Sequence, residues 1–188
     1  MMIKVFGVGD GGIHALAKMR SELDRGVAYF AVNTEATSLT ETRATALQLG
    51  RTPMYHFGTG GDPEVGKRAA EECTDDLRAA MLGASKVLIA GGFGGGTATG
   101  AAAVIADIAQ RMGLPAIVVA TLPFSFEGQV RAQIAQRGVE TLRQLEIASV
   151  IIRLDQLTPF VDSQPALNRL YAMADAALAW HVLTQCMA

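Results

Sequence analysis

The chain has 188 residues, half of them apolar, enough to bury one substantial core. Its 16 Lys and Arg against 18 Asp and Glu leave a formal charge of -2 with no basic stripe, which argues against nucleic acid as a partner, and its longest apolar runs, 101–105 and 116–120, are too short for a membrane span. No linker or low-complexity tract divides it, Met-Met-Ile-Lys at the start reads as strand and not leader, and Cys73 and Cys186 read as free thiols of a reducing cytoplasm.

In chain order, an apolar strand over 2–8 runs into Gly7-Val8-Gly9-Asp10-Gly11-Gly12, and Ile13, Leu16, Met19 and Leu23 continue at helical spacing, predicting a helix over 12–24. Gly7, Gly9 and Gly12 satisfy G-x-G-x-x-G between strand and helix, a weak dinucleotide signal by itself. A strand over 28–32 ends in Asn33-Thr34-Glu35, where Glu35 could serve such a fold as ribose ligand or the triplet could simply end a strand and cap a helix. Gly58-Thr59-Gly60-Gly61 then leads through Asp62-Pro63-Glu64-Val65-Gly66 into an acidic helix over 64–83.

A strand over 86–90 opens the most informative stretch, Ala90-Gly91-Gly92-Phe93-Gly94-Gly95-Gly96-Thr97-Ala98-Thr99-Gly100-Ala101, which passes into a helix over 98–112. Glycines let the backbone approach an anion and turn its N–H groups toward it, and the Thr97 and Thr99 hydroxyls add donors, so the loop suits a phosphate. Strands over 115–120 and 148–153, a helix over 128–145 and a terminal helix over about 163–186 complete the chain. Alternating strands and helices predict one α/β domain over 1–188, a Rossmann-like parallel sheet with helices on both faces. Ligands of such sheets bind at the carboxyl ends of the strands, where all three glycine loops open.

Taken together these motifs resemble the nucleotide-binding domain of the tubulin and FtsZ superfamily. Gly94 to Gly100 reads GGGTATG against the signature GGGTGTG; Ala31-Val32-Asn33-Thr34-Glu35 matches AVNTD, Asp62-Pro63-Glu64-Val65-Gly66 matches NPEVG, and Pro123-Phe124-Ser125-Phe126-Glu127-Gly128 with Arg131 matches PF-x-FEG-x-x-R. The motifs keep the family's order across nearly the whole chain. The resemblance implies GTP or GDP with Mg2+ as cofactors and assigns roles by position. Gly94, Gly95, Gly96, Thr97, Ala98, Thr99 and Gly100 would wrap the α- and β-phosphates, with Gly9, Asp10, Gly11 and Gly12 opposite. Gly58, Gly60 and Gly61 would sense the γ-phosphate, and Asn33 and Glu35 would stand near it and the magnesium's water shell. Thr121 and Pro123 lead to Glu127 and Arg131 at the ribose, although an i,i+4 Glu and Arg is also the spacing of a surface ion pair.

The base end departs most from the family. Tyr171 and Asp175, four apart on one helical face, supply a ring to stack and a carboxylate to accept from guanine N1–H and its exocyclic amine. The family's two asparagines are His14 and Leu154, so weaker guanine binding with reduced discrimination is expected. Ala98 replaces a signature glycine, tolerable only at negative φ, and Asp10 replaces a first-loop glycine, either facing the phosphates or turned outward as a helix cap. The residues offer no metal cluster and no assigned catalytic group.

The resemblance further implies that the family's catalytic acidic loop and second domain would follow the terminal helix, whereas this sequence ends at Ala188. The expectation is therefore a GTP- or GDP-binding switch or assembly module of the cytoplasm, in cell division or membrane remodelling, with weak or no hydrolysis. An active GTPase completed by a dimer mate, or by an acidic side chain such as Asp10, is the alternative; a nicotinamide dehydrogenase rests on the first glycine motif alone. Leu167, Leu170, Tyr171, Ala174 and Leu178 mark one apolar face of the terminal helix and Met173, Ala177, Trp180 and Leu183 another, so a second copy or a partner protein, membrane-associated ones included, is expected to cover it.

Overall fold

A computed structural model describes residues 2–19, 26–40, 42–160 and 166–187. Six parallel strands, β1 (Met2–Val8), β2 (Val27–Asn33), β3 (Thr45–Gln48), β4 (Ala84–Gly92), β5 (Ala116–Leu122) and β6 (Ala148–Arg153), form one sheet in the order β3-β2-β1-β4-β5-β6. The order reverses beside β1, so its carboxyl end and that of β4 flank the crevice where such sheets take ligands.

Seven helices connect the strands: α1 (Gly9–Met19), α2 (Thr37–Thr40), α3 (Pro63–Glu72), α4 (Thr74–Met81), α5 (Gly96–Arg111), α6 (Gln129–Gln144) and α7 (Leu167–Met187). Alternate strand residues enter two cores, as the period of two requires. Phe6, Ile89 and Val118 face the layer of α3 to α6, whereas Val5, Leu88 and Val119 face α1 and α7. The interior strands are thus covered on both sides, which is why they read as near-continuous apolar runs.

The structure corrects several expected elements. β3 was not anticipated: Thr-Ala-Leu-Gln at the sheet edge is short, half exposed and without apolar alternation. The helix expected over 64–83 breaks at Cys73, whose N–H bonds to Ala70 O and whose thiol takes the Gly50 N–H at 3.3 Å, while the Thr74 hydroxyl turns back to Glu71 O. α1 starts at Gly9, three residues before the expected 12, and the expected residues 20–24 lie outside the described residues. α7 begins at Leu167 and runs to Met187; of the expected start, 163–165 lie outside the described residues.

Candidate nucleotide-binding site

At the carboxyl edge of the sheet lies a cleft of about 620 Å³, a size typical of sites for small molecules. Sheet order gives it a direction. Asn33, ending β2, and Glu35 stand at one end, the turns after β1 and β4 form the middle, and Thr121 near the end of β5, Pro123 after it and Leu154 after β6 form the other end with Tyr171 and Asp175 of α7.

The middle is backbone. β4 ends in Gly92, Gly94 bends the chain at φ 111°, and α5 opens at Gly96 with no side chain capping its first turn. Its leading N–H groups are therefore left for a ligand, and no acidic residue in that turn opposes an anion. α1 starts beside it, so that a Cβ at Gly9 would lie 3.5 Å from Ala98. Ala98 is inside α5 and has no positive φ, which settles how the turn accepts alanine where the family has glycine.

Twenty of the expected site residues line the cleft: Gly9, Asp10, Gly11, His14, Asn33, Glu35, Gly58, Gly60, Gly61, Gly95, Gly96, Thr97, Ala98, Thr121, Pro123, Glu127, Arg131, Leu154, Tyr171 and Asp175. Four others do not. Gly12 packs against Ala90 O, and Gly100 against Pro63 O. Gly94 supplies the bend, and its N–H donates to the Thr99 hydroxyl at 3.0 Å, so Thr99, only 6 % exposed, holds the loop from behind. These four shape the turn and stand behind its surface.

Asp10 lines the cleft and is held there by side chains at the end of β2 and just after it. Its Oδ1 accepts from Asn33 Nδ2 and from Ser38 Oγ, each at 2.8 Å, tying α1 to the segment after β2. Asn33 Oδ1 in turn accepts the Thr34 N–H at 2.9 Å and the Glu35 N–H at 3.4 Å, so the amide is used at both ends. Thr34, fully buried, meets Thr97 hydroxyl to hydroxyl at 3.0 Å and so joins the β2 end to the phosphate-type loop. Sequence reasoning passed over Ser38 and the lining residue Phe57, while Thr34 and Thr59 stood inside matched or glycine-rich segments without a role of their own.

Glu127 makes the ion pair its spacing allows and also lines the cleft. Its Oε1 accepts the Phe124 N–H at 2.9 Å, its Oε2 pairs with Arg131 at 3.2 Å, and both residues still line the cleft. Phe124 meets the Tyr171 ring edge-on, centroids 6.3 Å apart, and Tyr171 keeps an exposed face. Burial pushes the Asp175 carboxyl above the usual carboxylate range, opposed by the charges of His14 and Lys18. Leu154 is buried with Phe124, Leu170 and Ala174 in a small core of its own beneath the ring. Among the described residues, no group of three or more His, Cys, Asp or Glu could hold a metal ion, and no helix is long and apolar enough to cross a membrane.

Known proteins share both sequence and architecture with this chain. The family model described as "Tubulin/FtsZ family, GTPase domain" matches residues 2–161. The cell division protein FtsZ of Wigglesworthia glossinidia brevipalpis is 40% identical over 178 residues, which are 94% of this chain and 46% of that protein. Among solved structures, an empty FtsZ dimer from M. jannaschii superposes with a TM-score of 0.88 at 34% identity, covering 95% of this chain and 52% of that one. CetZ2 from Haloferax volcanii, a GTPγS-bound protofilament, superposes at 0.82 with 26% identity, covering 97% and 57%. The chain thus spans about half the length of these relatives. Motifs, sheet order and the match over most of its length agree: the chain belongs to the Tubulin/FtsZ family, matching its GTPase domain.

Proposed function

We propose that the chain binds GTP or GDP with Mg2+ along the carboxyl edge of its sheet and works as a nucleotide-dependent switch or assembly module in cell division or membrane remodelling. The carrying observation is one cleft with uncapped helix N–H groups in its middle and a half-exposed aromatic ring beside a carboxylate at one end. Phosphates fit the first and a purine with adjacent N–H donors fits the second. Gly95 to Ala98 and Gly9 to Gly11 hold the α- and β-phosphates, Glu127 and Arg131 the ribose, and Tyr171 and Asp175 the base. Magnesium, when bound, neutralises phosphate charge at the end where Asn33 and Glu35 stand.

Hydrolysis by these 188 residues is slow in this reading. Of the two carboxylates at the β2 end, Asp10 Oδ1 is taken by Asn33 and Ser38, and Glu35 Oε1 by the Thr37 hydroxyl at 2.7 Å. These bonds fix both carboxylates to the wall, and neither is assigned a role in orienting an attacking water in this reading. Completion in trans is the second reading, favoured by relatives solved as a dimer and as a protofilament. The outward face of α7 is the surface offered to a second copy or a partner protein.

Two measurements test this. The nucleotide released on denaturing the purified protein should be GDP or GTP; an adenine or nicotinamide nucleotide would refute the assignment. Phosphate release at several protein concentrations separates the two readings, since a switch stays near background and a site completed in trans accelerates with concentration.

A further inference from the structure

The end of the cleft assigned to the last phosphate is anionic. Asp10 and Glu35 line it, while Arg131, the one Arg or Lys lining the cleft among the described residues, sits at the β5 side against Glu127. Asp10 is also held in place. The hydrogen bonds from Asn33 and Ser38 fix its carboxylate to the wall, and the Asn33 amide nitrogen is turned toward it. A fixed negative charge opposes whatever anion arrives nearest to it.

Base and phosphate positions follow from sheet order. With the ring and carboxylate over β5 and β6, and the helix N–H groups over β4 and β1, a third phosphate can only extend toward β2, where Asp10 stands. We propose that Asp10 is a specificity-determining residue that biases this site toward the nucleoside diphosphate and makes acceptance of the triphosphate depend on a divalent cation. The proposal rests on reading the cleft as a guanine-nucleotide site. The diphosphate stops short of the β2 end and is spared, whereas the third phosphate meets an unneutralised carboxylate unless a cation comes with it.

Asp10→Asn isolates the charge, because the amide oxygen can still accept from Asn33 and Ser38. Ser38→Ala is the converse control, removing one hydrogen bond and keeping the charge. Displacement titrations of a fluorescent guanine nucleotide by GDP and by GTP would be run on the three proteins, with chelator and with magnesium. In chelator the wild type should bind GDP at least about tenfold tighter than GTP. Asp10→Asn should reduce that ratio by most of its value while moving the GDP affinity less than about twofold; magnesium should narrow the wild-type ratio, and Ser38→Ala should leave it unchanged. Equal ratios in wild type and Asp10→Asn would overturn the proposal while leaving the site intact, and an equal loss of ratio in Ser38→Ala would assign the effect to the hydrogen bonds and overturn it too. Failure of the folded wild type to bind either nucleotide would overturn the reading of the cleft and this proposal with it.

Discussion

Gly95 and Gly96 are neighbours in the turn after β4, yet a side chain would meet different surroundings at each. A Cβ at Gly96 would run into the Thr59 hydroxyl and Asp62 O, whereas at Gly95 the nearest atom is a guanidinium nitrogen of Arg131 at 3.9 Å. Gly95→Val should therefore fold, costing no more than about 1 kcal/mol as an N-cap change, while its branched side chain occupies the place of an anion. Calorimetry should show loss of GTP and GDP binding in a variant whose melting is close to wild type; unchanged affinity would place the phosphates elsewhere. Asp175→Ala should cost about 1 to 3 kcal/mol of preference for guanine over adenine nucleotides, read from competition titrations. Asp175 also carries a pH signature. Its folded pKa is raised, chiefly by burial, so its favourable contribution is present below the ordinary carboxylate pKa and is lost as pH rises through the folded one. Ligand-free Asp175→Asn should accordingly gain stability relative to wild type from acid to neutral pH, and a gap that stays constant in melts across that range would count against the burial account. At Leu154 the expectation from sequence, that Asn would simply restore a base contact, meets the small core around Phe124 and Leu170. An amide there is buried without a partner until guanine arrives, so Leu154→Asn should lose about 1 to 3 kcal/mol without nucleotide and recover more than wild type when GTP is added.

Elements were legible where periodicity and glycine chemistry spoke together. β1, β2, β4, β5 and β6 could be read from apolar runs ending at turn residues, and the phosphate-type turn from the six glycines and two threonines over 91–100, where β4 passes into α5. β3 was not, because an edge strand has one paired neighbour and little apolar surface to declare itself. The break between α3 and α4 was hidden for another reason: a continuous helical pattern runs across Cys73, and only the contact of its thiol with the Gly50 N–H, from a distant loop, marks the bend. The candidate site shows the same division. Residues in signature motifs came together as expected, but Thr34, Ser38 and the orientation of Asp10 depend on side-chain hydrogen bonds across 23 residues or more, and no local spacing encodes that. Gly12 and Gly100 are a further case, since the sequence pattern marks them as glycine without revealing that packing against Ala90 and Pro63, not a ligand, excludes a side chain.

For the molecule as a whole, α7 stands out because it carries Leu167, Tyr171, Trp180 and Met187 among the exposed large apolar side chains. Its buried stripe runs from Leu170 and Ala174, in the small core with Phe124 and Leu154, to Leu178 and Val182, packed against α1 and the sheet, and Lys86 donates to Gln185 O at 2.7 Å near its end. Of the second face expected over Met173, Ala177, Trp180 and Leu183, the structure packs Ala177 and Leu183 against the core and half-buries Met173; Trp180, 64 % exposed, stays open, as does Met187 at 70 %. Aromatic surface this open on a helix already buried along its other side is characteristic of an association face. The nucleotide cleft is at the carboxyl edge of the sheet, whereas this open surface lies on the outer side of α7, so association through it would leave the cleft open and need not build a filament that stacks one nucleotide face on the next subunit. The expected behaviour of the 188-residue chain with GTP and magnesium is therefore a compact, concentration-dependent oligomer that Trp180→Glu dissolves. Since Trp180 is exposed in the single chain, the substitution should leave nucleotide affinity and melting nearly unchanged, within about 0.5 kcal/mol. Sedimentation velocity and electron microscopy on the two proteins decide the matter: straight single-stranded filaments with a regular subunit repeat, formed equally by wild type and Trp180→Glu, would show that the nucleotide face and not α7 carries the assembly.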